Sequence, residues 1–130
     1  MATRHIGFTG TRRGMTPRQQ EKLKALLPEG CCFHHGDCIG ADAQAHEIAR
    51  QKRCTLILHP CTIIGQRAYC PRADVVHLPK PPLTRNRDIV EAVDWLIAAP
   101  ATAHEVLRSG TWATIRYARK VNRQIRILEP

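Results

Sequence analysis

No run of apolar residues in this 130-residue chain is long enough to cross a bilayer. The most sustained, Trp95-Leu-Ile-Ala-Ala99, falls far short of the roughly twenty positions a spanning helix needs. No low-complexity tract is present, and with hydrophobic residues at 43% the composition excludes an intrinsically disordered chain. No signal-peptide pattern precedes the strand-like segment that follows Met1-Ala-Thr-Arg-His, so the expected compartment is the cytoplasm, with no membrane partner. No C-x-x-C pair occurs among the six cysteines. Cys31 and Cys32 are adjacent and cannot easily bridge one another. Cys38, Cys61 and Cys70, with His35 and His59, offer zinc donors, but their spacing fits no zinc module. The expectation is free, buried or half-buried thiols in a reducing compartment, with no metal and no resident cofactor beyond a bound nucleotide-like ligand. Acid is missing from the stretch Val106 to Leu128, which holds six basic residues.

What is there begins with charge. Lys and Arg outnumber Asp and Glu by 20 to 11, a net +9 that favours phosphorylated or polyanionic partners through long-range attraction. The length suits one domain, residues 1–130, and no internal repeat divides it.

Strand and helix signals alternate along the chain. His5-Ile-Gly-Phe-Thr9 reads as a strand. Thr16-Pro17-x-Gln19 opens a helix, with Thr16 as cap, Pro17 in the first turn and Gln19 reaching back. Leu23, Leu26 and Leu27 supply its buried side, and Pro28-Glu-Gly30 ends it. Cys31 to His35 is a second strand. A helix from about Ala41 to Arg53 follows, with Ala41, Ala45, Ile48 and Ala49 on one side. Thr55-Leu-Ile-Leu-His59 is a continuous apolar strand of the kind buried on both faces. Residues 60–82 are irregular, with a short strand possible at Val75-Val-His-Leu78 and a rigid loop at Pro79-Lys-Pro-Pro82. Thr84 caps a helix to about Val93, Trp95 to Ala98 is a strand, a helix runs from about Thr111 to Val121, and Ile125 to Leu128 closes the sheet. This alternation implies an α/β, Rossmann-like three-layer sandwich of about five parallel strands. Ligands of such folds sit outside the carboxyl ends of the strands.

Four turns are rich in glycine, hydroxyl and arginine groups. Gly10, Thr11 and Arg12 leave the first strand, where glycine permits close approach and arginine holds an oxyanion bidentately. Gly36, Asp37 and Gly40 lie in the second turn, His35-Gly-Asp-Cys-Ile-Gly-Ala-Asp42, which opens a helix whose N-terminus favours an anion. In this turn Asp37 is suited to a ribose hydroxyl, and Asp42 reads as a first-turn or capping residue. Arg85 and Asn86, with Arg87, begin another helix. Ser109, Gly110 and Thr111 form a plausible phosphate cradle before the last helix.

Together these segments, with Ser109-Gly-Thr-Trp-Ala-Thr114, resemble the SLOG superfamily, which unites the Smf/DprA domain with the Lonely Guy proteins. The resemblance implies a nucleotide- or nucleotide-sugar-binding Rossmann-like domain, commonly homodimeric. Lonely Guy members hydrolyse the N-glycosidic bond of a modified AMP and carry P-G-G-x-G-T-x-x-E, whose glutamate is catalytic. Here Thr114 stands at that glutamate position, and threonine is no base near neutral pH. The remaining candidates for a base are Asp37 and Glu105. The expected function is therefore binding or sensing of a nucleotide-derived small molecule. Nucleoside monophosphate hydrolysis and Smf-like single-stranded nucleic-acid binding are the alternatives. Finally, Trp112, Arg116, Arg119 and Arg123 fall on one helical stripe, set apart from Ile115 and Ala118. They suit a dimer interface or a base-stacking platform.

Overall fold

Every position of Trp95–Ala99 is apolar because the strand is covered on both sides. Ile97 and Ala99 turn into one hydrophobic cluster, while Leu96 and Ala98 turn into two smaller ones on the other face. The computed structural model describes residues 3–130. Met1 and Ala2, part of the segment read for a leader pattern, lie outside the described residues.

The elements follow in alternation. They are β1 (His5–Gly10), α1 (Pro17–Leu26), β2 (Cys32–His35), α2 (Ala41–Gln51), β3 (Thr55–Leu58), β4 (Val75–Val76), α3 (Pro82–Ala92), β5 (Trp95–Ala99), α4 (Gly110–Lys120) and β6 (Gln124–Ile127). One turn of 3-10 helix, Ile64–Gln66, interrupts the long connection from β3 to β4. The strands form one parallel sheet in the order β4-β3-β2-β1-β5-β6. It has six strands, the five read from the sequence and the short one at Val75: the two-residue β4 adds itself at the β3 edge, pairing Ile57 with Val75 and Leu58 with Val76. The fold is an α/β three-layer sandwich. Among the described residues no helix is long and apolar enough to cross a membrane.

Local chemistry explains the first helix. Thr16 Oγ1 accepts from the Gln19 amide (3.1 Å), and Gln19 Oε1 accepts from the Thr16 amide (3.0 Å), a complete capping box. Gln19 does more than cap. Its Nε2 donates to the carbonyl oxygens of Pro100 and Leu128 (2.8 and 2.9 Å), which ties α1 to the chain leaving β5 and β6. Leu23 and Leu27, with Ala41, Ala45, Ile48 and Ala49, cover Ile6, Phe8, Phe33 and Leu56 from one side. On the other side Ile89 and Val90 of α3 and Ile115 and Ala118 of α4 cover β1 and β5.

Helix α3 departs from expectation. It starts at Pro82 rather than after Thr84, with Pro81 as an N-cap that gives no side-chain bond. Pro82 suits the first turn because its missing N–H would be unpaired there. The Pro79–Pro82 segment is thus partly helix rather than wholly loop.

The chain steps outward from β1 to β4 and then returns to place β5 against the other side of β1. The order therefore reverses between β1 and β5. Their carboxyl ends flank the crevice where such sheets hold ligands.

Candidate functional site

At that crevice lies a cavity of about 480 Å³, within the range of small-molecule sites. Its walls come from five chain segments: Phe8 to Arg13 at and beyond the end of β1, Gly36, Cys38 and Asp42 around the start of α2, Gln66 of the 3-10 turn, Pro82, Arg85, Asn86 and Ile89 of α3, and Ala101, Thr102 and Val106 to Thr111, with Leu107 excepted, leading into α4. The structure thus brings Gly10, Thr11, Arg12, Gly36, Arg85, Asn86, Ser109, Gly110 and Thr111 around one space. It adds Arg13, Arg108 and Asp42.

Arg12, Arg13 and Arg108 are exposed and enter no ion pair among the described residues. Ser109 caps α4, its Oγ accepting from the Trp112 amide at 3.2 Å. The N–H groups of Gly110 and Thr111, in the first turn of α4, carry the positive end of the helix dipole at the cavity wall. The rim is strongly electropositive.

Arg85 is different. It is buried, with Nη1 donating to the carbonyl oxygens of Gly36 (2.6 Å) and His59 (3.1 Å) and Nε to Asn86 Oδ1 (2.8 Å). Most of its donors hold the frame. Gly36 is glycine for the same reason: a Cβ there would collide with the Arg85 guanidinium and crowd Asp42 Oδ2. Gly40 has φ +90, and a Cβ would strike the backbone of Arg12. It locks the first turn against the second and does not face the cavity.

Asp37 does not reach the cavity either. Its backbone adopts φ 54, a left-handed conformation, and the side chain is fully buried. Oδ2 accepts from Arg67 Nε and Oδ1 from the Cys70 amide, each at 2.9 Å, so both oxygens are spent on the β3–β4 connection. The carboxylate at the cavity is Asp42 instead. Its Oδ2 accepts from the amides of Gly36 (3.1 Å) and Cys38 (3.2 Å), while the buried Oδ1 has no hydrogen-bond partner. Burial pushes its carboxyl up to about 6, against the opposing pull of Arg85 and the two amides.

The other weak catalytic candidate, Glu105, and Thr114 at the expected glutamate position also fall away from the cavity. Glu105 is exposed and paired with Arg116 at 2.9 Å. Thr114 is buried, its hydroxyl donating to the Gly110 carbonyl oxygen at 2.9 Å. The arginine–tryptophan stripe is broken up as well. Trp112 is only 5% exposed, packed with Ala98 and Ile115, and its Nε1 donates to Thr102 Oγ1 at 3.3 Å. At about 100° per residue, position 112 lies about 60° from 115 and about 40° from 116, and burial of the indole decides which side it joins. It is neither an exposed stacking platform nor a docking surface. Arg116 is held by Glu105 and the Leu107 carbonyl oxygen. Arg119 is exposed, and Arg123, beyond the helix end, donates to the carbonyl oxygens of Val90 and Glu91.

The sequence pattern singled out only His35 and His59, as zinc donors of unsuitable spacing, and the structure gathers these with His5, His34, His46 and His77 into two arrays. His5, His34 and His59 are joined ring to ring, with both nitrogen–nitrogen distances 2.9 Å, and His77 stacks on His59 with ring centres 4.4 Å apart. His35 Nε2 meets His46 Nδ1 at 2.9 Å, and His46 Nε2 meets the Pro71 carbonyl oxygen at 2.7 Å. His35, His46 and Cys70 put three potential metal donors within 4.8 Å of one another. The Asp37 amide donates to His35 Nδ1 at 3.0 Å, so His35 carries its proton on Nε2 and gives it to His46 Nδ1. His46 Nε2 is left to donate to the Pro71 carbonyl oxygen.

No family description matches the sequence, and neither does any curated protein. Solved structures do. TM1055, a structural-genomics target, superposes with a TM-score of 0.70 at 12% identity, covering 95% of this chain and 72% of that one. A protein from the phototrophic bacterium Rippkaea orientalis, described as a molybdenum cofactor binding protein, gives 0.72 at 20% identity, covering 98% and 77%. The fold is Rossmann-like. At such identities the likeness reaches the architecture and no further.

The signal that could have found Asp42 was its position. It is the first carboxylate inside α2, where a side chain folds back onto preceding loop amides. Asp37 sits at the apex of the turn, where a left-handed backbone sends it elsewhere.

Proposed function

We propose that the strand-end cavity binds a nucleotide or nucleotide-derived small molecule through its phosphate, and that the chain is a small SLOG-type binding or sensing domain. The observation that carries this reading is the make-up of the wall. Four arginines and the start of α4 line it, against a single carboxylate that burial keeps partly protonated near pH 6. A phosphate at the Gly110-Thr111 amides meets helix dipole and guanidinium donors together. The cavity volume suits a ligand of that size with its base directed toward Ile89 and Phe8. The molybdenum cofactor named for the Rippkaea orientalis protein supports a small-molecule ligand rather than a polymer.

Mass spectrometry of what is released from freshly purified protein tests the reading, together with elemental analysis for molybdenum. A phosphate-bearing heterocycle is expected. Release of no phosphate-bearing compound, combined with no binding of nucleoside monophosphates, would overturn it.

Hydrolysis is the second reading, and Asp42 is the observation that favours it. A carboxyl raised to about 6 beside an electropositive wall is a general acid–base candidate. Steady release of free base from AMP, abolished in Asp42→Asn, would promote this reading over pure binding.

A further inference from the structure

At the opposite end of the sheet from the cavity, the Sγ atoms of Cys31 and Cys54 lie 3.3 Å apart. We propose that these two residues are a redox-active pair that closes to an intramolecular disulfide when a hydroperoxide reacts with Cys54. Cys31 immediately precedes β2 and Cys54 immediately precedes β3, and these strands are parallel neighbours. The Thr55 amide donates to the Cys31 carbonyl oxygen at 2.8 Å, which holds the two entry points side by side. Both thiols are free, and they sit at the margin of the main core, 3% and 7% exposed. Alternation along the chain sends Cys31 and Phe33 into that core and leaves Cys32 on the other face. Of the two adjacent cysteines, only Cys31 meets a partner sulfur.

The surroundings divide the labour between the two sulfurs. Either thiol can donate across the contact, and Cys54 Sγ also reaches the carbonyl oxygens of Pro28 and Lys52 at 3.6 and 4.0 Å. The hydrogen bond to Cys31, the amides of Cys31 and Gly30 and the Lys52 ammonium all favour the Cys54 thiolate. Together they outweigh burial and lower the Cys54 thiol to about 7. The same hydrogen bond, with burial, raises Cys31. Cys54, the more exposed of the two and the one whose thiol is lowered, is the nucleophile of the pair, and Cys31, whose thiol is raised, is the resolving partner.

The chemistry balances. The Cys54 thiolate attacks one peroxide oxygen and the O–O bond breaks. Cys54 becomes the sulfenic acid, and the other oxygen leaves as alkoxide or hydroxide, which takes up a proton. The Cys31 sulfur then attacks the Cys54 sulfur and expels hydroxide, which departs as water with the Cys31 proton. Two thiols and one hydroperoxide thus give one disulfide, one alcohol or water, and one further water. A thiol reductant reverses the step. The closed loop encloses α2 and the whole turn from Gly36 to Asp42, so the bridge staples the unit that carries one wall of the cavity.

The test uses fully reduced whole protein exposed to hydrogen peroxide near neutral pH, with alkylation of remaining thiols and peptide mapping. It needs no ligand, so it stands or falls apart from the cavity. Two of the six thiols are expected to disappear together, in a single Cys31–Cys54 linked peptide that dithiothreitol undoes. Oxidised protein is expected to melt roughly 5–15 °C higher than reduced protein. Cys31→Ser is expected to stop at a dimedone-trappable sulfenic acid on Cys54. Cys54→Ser is expected to lose thiols at least about tenfold more slowly, and Cys32→Ser to behave as wild type. A linked peptide from any other pair would overturn the proposal. So would six surviving thiols when glutathione in the same tube is consumed. The wild-type peptide map decides the matter even where a serine variant fails to fold.

Discussion

Nη1 of Arg85 donates to the carbonyl oxygen of Gly36 at 2.6 Å, and that bond makes the arginine part of the frame around the cavity. The turn after β2, the end of β3 and the start of α3 all converge on this one guanidinium. Arg12, Arg13 and Arg108, in contrast, stand exposed on the rim. The four cavity arginines therefore have two jobs, and mutation separates them.

Arg85→Met is expected to destabilise the fold by about 2–4 kcal/mol, because buried carbonyl groups and Asp42 lose their cationic partner. Urea denaturation followed by circular dichroism checks this. A variant as stable as wild type would place the arginine's role in ligand binding instead.

Trp112→Ala is expected to cost about 3–5 kcal/mol of folding stability, the usual range for emptying a buried indole site. Its oligomeric state by sedimentation is expected to equal that of wild type. An unchanged denaturation midpoint with weakened self-association would restore the tryptophan to an interface.

Acid is expected to weaken the fold. Burial holds the imidazole of His34 down at about 4 and that of His59 at about 3, helped by neighbouring histidines. His35, fully buried, is lowered as well. These groups are neutral in the folded chain and have their ordinary value of 6.5 when it unfolds. The unfolded state therefore takes up protons first. The stability they contribute is complete above 6.5 and is lost as pH falls toward 4. Asp42 works the other way, since its raised carboxyl is protonated earlier in the folded state and favours folding as pH drops below about 6. Three histidines against one aspartate leave a net loss. Denaturant midpoints measured from neutral to mildly acid pH should fall, and His59→Gln should flatten the fall. A midpoint that holds steady or rises would contradict this.

Much of this architecture is legible in the residues. Thr16 and Gln19 announce a helix start by their spacing, and the structure contains both bonds of the box. The apolar runs of β3 and β5 announce strands covered on both faces. The first two turns follow β1 and β2 directly, Ser109 to Thr111 open α4, and Arg85 and Asn86 lie within the first turns of α3. What escaped lies in side-chain direction and in long-range packing. A left-handed residue turned Asp37 away and left Asp42 at the cavity. A rotation of a few tens of degrees about α4 separated a buried Trp112 from an exposed Arg119. The longer histidine array joins four separate strands or strand ends, and no spacing along the chain marks such a line.

Calorimetric titration of AMP into wild-type protein and Arg12→Ala tests the central claim most directly. The exposed Arg12 guanidinium should give the phosphate a charge-assisted hydrogen bond and give the fold little. Affinity is therefore expected to fall by about 1.5–3 kcal/mol, roughly 10- to 150-fold, with an unchanged denaturation midpoint. Equal affinity in wild type and in a fully folded Arg12→Ala variant would contradict the placement of the phosphate, and with it the proposed function.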